Sequence, residues 1–227
     1  MILTYLIEFA TGHLTLLEFM QYLVYSLIAV IVTITIHEWG HALVSFIQGD
    51  KSTKYSGRLS LNPFAHMDLY GILMFLILGF GWARPVQVRA SQYKRPRLGL
   101  ALTAAAGPIM NFLLAFLLTP LYFWAALKHT TFFTNLAVLI LFVITYNLSL
   151  ALFNLIPVPP LDGSKILGEC LPLKYRLKYY GIERYGFIIA FAIAVFLNRL
   201  GVFAFIQNTL LSAFITAWSP LLKLIIS

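Results

Sequence analysis

The sequence predicts a polytopic α-helical membrane protein: a bundle of about five to six transmembrane helices, with a short re-entrant segment and small β-strands at the cytoplasmic interface. Three observations predict it. The 227 residues are 60% hydrophobic and only 11% charged, where a soluble domain is about a quarter charged, and the mean hydropathy is +0.86. Charge-free runs long enough to cross a bilayer recur along the chain, about 20 residues being needed. The third observation is where the charge sits. Of sixteen Lys and Arg, thirteen fall in 51–58, 84–97 and 165–184, leaving Lys128, Arg199 and Lys223 elsewhere. That clustering is the positive-inside pattern and makes these loops cytoplasmic. Solvated loops facing anionic lipid account for the net charge of +8, and no nucleic-acid partner is needed. The expected protein is multi-pass, in the cell membrane, with the bilayer as its constant partner.

The length suits a single domain over 1–227, with a core of about 21–170 and additional transmembrane helices in 185–227. Residues 1–18 carry Glu8 and Glu18 and no base, which suits a short interfacial or half-inserted helix rather than a signal peptide. The first span runs from about Gln21 to Ile47. Residues 52–61 and 84–90 alternate in polarity and read as interfacial strands. Between them Leu69–Phe80 is apolar but too short to span, so it reads as a re-entrant hairpin, tolerable at depth only beside protein or a watery cavity. Leu98–Leu127 spans outward, with a kink expected at Gly107-Pro108. Thr130–Ile156 returns, and Pro157, Pro159 and Pro160 break it. Ser164–Cys170 suits a short helix. Tyr185–Leu200 and Val202–Leu222 follow, turning at Gly201. The single cysteine, Cys170, excludes an internal disulfide and reads as a small buried apolar residue.

The chemistry begins at His37-Glu38-Trp39-Gly40-His41. Phe19 to Ile36 holds no charge, and then come two imidazoles and a carboxylate. Each ionisable group at membrane depth costs roughly 2.5–3.5 kcal/mol, so such groups are rarely idle. His37 and His41 are four apart and share a helix face. That spacing suits two nitrogens on one zinc ion, with Glu38 beside them to handle a proton. The motif lies roughly 27 Å along the helix, nearer the cytoplasmic side.

A catalytic zinc needs three protein ligands and an open position. Among the eight acidic residues, Asp162 follows a proline-broken stretch that can aim it back into the bundle, and Gly163 permits close backbone approach. His66 and Asp68 remain as an additional ligand or a gate, Asp68 fitting equally as an N-cap. Asn147 and Asn154 are seven apart and share a face. Asn147 and Asn111 suit interhelical hydrogen bonding.

The His-Glu-x-x-His motif in a membrane helix, followed by Asn154 through Asp162-Gly163 in a later one, resembles the site-2 protease family of intramembrane zinc metalloproteases. Ala106-Gly107-Pro108-Ile109-Met110-Asn111 is also similar to a family feature. The resemblance covers about 21–170, and the chain looks like a minimal member with no room for the PDZ or CBS domain of many relatives. It implies one zinc ion per chain held by His37, His41 and Asp162. It implies Glu38 as the catalytic acid/base and Asn154 as a group holding substrate or oxyanion. The expected function is intramembrane hydrolysis of membrane-spanning or membrane-associated polypeptides. The alternative is a zinc-binding membrane protein without hydrolysis, a carrier or scaffold. Convergence of the ionisable groups on one point, rather than their spread over several spans, favours the enzyme. Substrate clamping by an extended edge at 52–61 or 84–90 is a further expectation. Substrate identity and oligomeric state are not legible.

Overall fold

A computed structural model describes residues 2–71 and 84–226. Among them the order is α1 (Ile2–Ala10), α2 (Leu16–Ile47), α3 (Ser52–Tyr55), α4 (Pro96–Ala126), α5 (Thr131–Asn154), α6 (Asp162–Cys170), α7 (Leu173–Tyr180), α8 (Glu183–Arg199) and α9 (Val202–Ile226). Short 3-10 turns lie at Pro63–Ala65 and Ala90–Gln92. Four helices, α2, α4, α5 and α9 as far as Lys223, are long and apolar enough to cross a membrane. A fifth span follows if α7 and α8, bent by 74°, count as one. The chain is a multi-pass membrane protein. The expected re-entrant hairpin at Leu69–Phe80 falls largely in 72–83, outside the described residues.

The first span begins earlier than hydropathy alone predicts. Thr15 caps α2 and closes a capping box with Glu18, whose Oε2 accepts the Thr15 N–H at 2.9 Å, so two terminal donors are satisfied before the apolar run starts. The helix ends at Gly49, where φ is +113°, a left-handed value that a side chain disfavours. The proline-broken stretch behaves as read: α5 stops at Asn154, ahead of Pro157. In α4, by contrast, the helix runs through Pro108 and Pro120 without interruption.

The expected strands are corrected. Residues 52–55 are helical. Their Ser and Thr hydroxyls and amides bond locally to Asp50, Ser52 Oγ at 2.5 Å and Thr53 Oγ1 at 3.1 Å, and such local bonds compete with ladder formation. Residues 84–89 form no regular element, and burial alternates between exposed Pro85, Gln87, Arg89 and half-buried Val86, Val88. The alternation was legible, but no strand forms among the described residues. The Val86 and Arg89 amides are taken by carboxylates instead of a neighbouring strand. Cys170 is exposed at the end of α6, not buried as expected.

The core is a three-helix contact of α2, α4 and α5. Ala115 and Ala125 of α4 meet Ala137, Ile140, Ile144 and Leu148 of α5, with Leu210, Leu211 and Phe214 of α9 covering them. Ala29 of α2 meets Phe142 and Val143, with Tyr5 of α1 against them. Small residues let backbones approach where lipid offers no hydrophobic drive. Polar ties fix the register: Asn147 Nδ2 donates to Thr33 Oγ1 at 2.8 Å, and Trp218 Nε1 donates to the Phe116 carbonyl at 2.9 Å. Exposed Leu17, Ile109, Leu113, Leu117 and Phe205 face outward, as a lipid-contacting surface requires.

Candidate metal centre

Two turns of α2 and the first residue of α6 build the site. His37 Nε2 and His41 Nε2 each lie 3.1 Å from Asp162 Oδ2. All three residues are buried. Tetrahedral zinc with bonds of about 2.0–2.1 Å would hold its ligand atoms about 3.3 Å apart, so these spacings match one ion. The imidazole planes stand at 89° with centroids 4.7 Å apart, which lets both Nε2 lone pairs converge.

The neighbours aim each donor. The His41 Nδ1–H donates to the Thr103 carbonyl of α4 at 2.7 Å, which turns Nε2 toward Asp162 as the nitrogen that can ligate once deprotonated. Lys165, one turn along α6, approaches Asp162 Oδ1 at 3.3 Å, so Oδ2 is the oxygen left for the imidazoles. Burial pushes the Asp162 carboxyl up. The hydrogen bonds and charges of His37 and His41 outweigh it and hold the carboxyl well below the usual carboxylate range. Asp162 reaches this position because the turn after α5 folds tightly. A Cβ on Gly163 would lie 2.3 Å from the Leu155 carbonyl oxygen.

Gly107 closes the site from above. A Cβ there would sit 2.5 Å from His41 Nε2 and 2.7 Å from His37 Cε1. Gly40 does the same from the α2 side, where a Cβ would meet Met110 Cγ at 2.7 Å and the Ala106 carbonyl oxygen at 2.9 Å. The Ala106–Asn111 stretch is thus the surface against which the motif helix packs.

Glu38 is 8% exposed, and its Oε2 accepts the Val86 N–H at 3.0 Å. The other predicted residues are not in the three-ligand group. His66 is fully buried, with Nε2 2.7 Å from the Ser60 carbonyl. Asp68 Oδ1 accepts the Gly71 N–H at 3.0 Å, the N-cap geometry. Asn154 is half-buried, and its Nδ2 donates to the Leu150 carbonyl of its own helix at 3.1 Å. Among the described residues no hydrogen bond joins Asn154 to the cluster.

Peptidase family M50 matches residues 25–137 and 125–197. The chain belongs to this family, the site-2 proteases. Two similar relatives carry the name "Putative zinc metalloprotease". YwhC of Bacillus subtilis is 38% identical over 216 residues, 91% of this chain and 96% of the relative. Rip2 of Mycolicibacterium smegmatis is 26% identical over 172 residues, 73% of this chain and 64% of the relative. No solved structure matches the chain. This site-2 protease is therefore a zinc-dependent metalloprotease, and its buried two-nitrogen, one-oxygen set suits that ion.

Sequence reasoning missed the main-chain groups of this site-2 protease site: the Val86 amide and the Thr103 carbonyl. It also passed over Asp50, which is fully buried and hydrogen-bonded to Ser45, Ser52 and Arg89. The only sequence signal was its place, directly after the glycine that ends the motif helix.

Proposed function

We propose that this protein is an intramembrane zinc endopeptidase that cuts membrane-spanning or membrane-associated polypeptides, with its active site nearer the cytoplasmic face. The observation that carries the reading is the buried His37, His41 and Asp162 set, its donors converging within 4.8 Å, with Glu38 next to it in a helix long enough to span. The basic residues Lys51, Lys54 and Arg58 follow the motif end of α2, which supports the orientation.

Zinc, when bound, acidifies water and polarises a carbonyl. His37, His41 and Asp162 would be the three residues that hold it. Glu38 takes a proton from the attacking water and returns it to the leaving amine. The Val86 amide occupies Oε2 of that carboxylate, which leaves Oε1 for proton transfer. Asn154 Nδ2 spends one N–H on the Leu150 carbonyl and has a second to offer a substrate carbonyl. A transmembrane helix has its amides already bonded, so the substrate must unwind before it reaches the site.

The test compares wild type with Glu38→Gln in detergent, for zinc content and for cleavage of a panel of single-span proteins. Equal zinc with cleavage lost in the variant is expected, and chelation followed by zinc should abolish and then restore wild-type cleavage. A wild type that cuts nothing would leave a zinc-binding protein without hydrolysis, and an equally active variant would remove Glu38 from the acid/base role.

A further inference from the structure

The segment 84–89 meets Glu38 through Val86, and its main chain is fastened at three places. The Arg84 N–H donates to the His66 carbonyl at 2.9 Å. The Val86 N–H donates to Glu38 Oε2 at 3.0 Å. The Arg89 N–H donates to Asp50 Oδ2 at 2.7 Å. Arg58 adds a fourth tie, its Nη1 donating to the Arg84 carbonyl at 3.1 Å and also to the Ala65 carbonyl.

Asp50 is the hub. It has no accessible surface and sits just past the end of α2. Its Oδ1 accepts the Ser52 N–H at 2.9 Å and the Ser52 hydroxyl at 2.5 Å. Its Oδ2 accepts the Arg89 N–H and, at 3.2 Å, the Ser45 hydroxyl of α2. Every bond is an acceptance, so both oxygens work as a carboxylate. A buried charge with this many donors is held, not stranded.

The network continues to the metal ligands. The Tyr93 hydroxyl donates to Ser45 Oγ at 2.7 Å and lies 3.2 Å from Thr103 Oγ1. The Thr103 carbonyl is the acceptor of His41 Nδ1–H. Oriented hydroxyls therefore run from Thr103 through Tyr93 and Ser45 to the Asp50 carboxylate, a chain whose members polarise one another. One buried carboxylate thus ties together the end of the motif helix, the segment over Glu38 and the α4 residue that orients His41.

We propose that Asp50 is a positioning residue of this site: it buckles residues 84–89 to the end of α2, so that the Val86 amide holds one Glu38 oxygen and leaves the other to move the proton. This rests on the reading of Glu38 as the acid/base. A glutamate without that amide samples its rotamer wells, and displacement of a reacting group by about 1 Å can cost about 100-fold in rate. The Asp50 carboxylate bonds to Ser45, Ser52 and Arg89 and to none of His37, Glu38, His41 and Asp162, so its effect passes through Val86. The Arg84, Val86 and Arg89 amides are the ones engaged in this brace.

The test uses the full-length protein in detergent, as wild type, Asp50→Ala, Val86→Pro and the double variant. Zinc content, amide exchange resolved at Val86 and Arg89, and the kcat and KM for a cleaved single-span protein are measured. Asp50→Ala is expected to keep its zinc, to exchange both amides about tenfold faster or more, and to lower kcat about 10- to 100-fold with KM unchanged. Val86→Pro removes only the donor to Glu38 and should give the same kcat loss with Arg89 still protected. The double variant should lose no more than the worse single one, since the two act as a unit. Unchanged exchange at Val86 in Asp50→Ala, or wild-type kcat in Val86→Pro, overturns the proposal. Zinc loss with faster exchange along all of α2 also overturns it, because it marks a general structural role. If Asp50→Ala does not fold, Ser45→Ala, which removes one of the four bonds, takes its place with the same expected pattern. A wild type that cuts nothing sinks the protease reading alone, and the exchange difference at Val86 still decides the buckle.

Discussion

Gly107 sets how close α4 can come to the two imidazoles. Glycine inside a helix usually costs about 0.5–1 kcal/mol relative to alanine. Here a Cβ would lie 2.5 Å from His41 Nε2 and 2.6 Å from its Cε1, well inside contact distance, so the local clash outweighs the gain in helix propensity. Gly107→Ala should therefore leave the protein folded and weaken zinc binding about tenfold or more, since displaced ligand contacts typically cost that much. Zinc titration of the purified variant reads it, and wild-type affinity would show that the rings have room to move. The same scale explains the two oxygens of Asp162: Lys165 takes Oδ1 and the imidazoles share Oδ2.

Elements of this fold were legible in proportion to how local their signals are. The charge-free run of α2 announces a span and the prolines after α5 a stop, and both signals are local. Residues 84–89 announce only their alternation, because the partners of their amides are Glu38 and Asp50, remote in sequence. Asn147 shows how a polar group in a span can be structural. Its Nδ2 bonds Thr33 Oγ1 and its own Val143 carbonyl, and interhelical bonds of this kind average about 0.6 kcal/mol in membranes. Asn147→Leu should cost about that much, read as a small drop in melting temperature, with zinc content and cleavage preserved. Lost zinc in a folded Asn147→Leu would instead give the residue a functional role.

For the molecule as a whole, acid should loosen the protein from the basic end of its spans. Burial pushes the Asp50 carboxyl up, and the bonds from Ser52, the Arg89 amide and Ser45 outweigh it, so the folded value lies below the ordinary one. A depressed folded value means stability that is fully present above the unfolded carboxyl's pKa, about 3.9. It is lost as pH falls through the lower, folded value. The difference in melting temperature between wild type and Asp50→Ala should therefore stay constant from neutral pH down to about 5 and shrink below about 4. A difference that shrinks between neutrality and pH 5 would contradict the sign. In zinc-free protein Asp162 adds to the same acid side, its folded value being depressed too. Bound zinc should raise stability by about 2.7 kcal/mol when free zinc is about 100 times its dissociation constant. Chelation should lower the melting temperature of wild type but not of His37→Ala.

By itself the sequence determined the membrane class, the main spans, the two histidines on one face and the proline-broken approach to Asp162. These rest on composition and on periodicities set by single helices. Only the tertiary structure decided that Asp162, 125 residues from His37, meets it at 3.1 Å, and that Asp50 is buried at a hub. It alone selected the Val86 amide to hold Glu38 and the Thr103 carbonyl to turn His41. Main-chain donors and acceptors are the same at almost every position, so nothing in the sequence marks which will face a carboxylate or an imidazole. The packing of α4 and of residues 84–89 on α2 makes that choice.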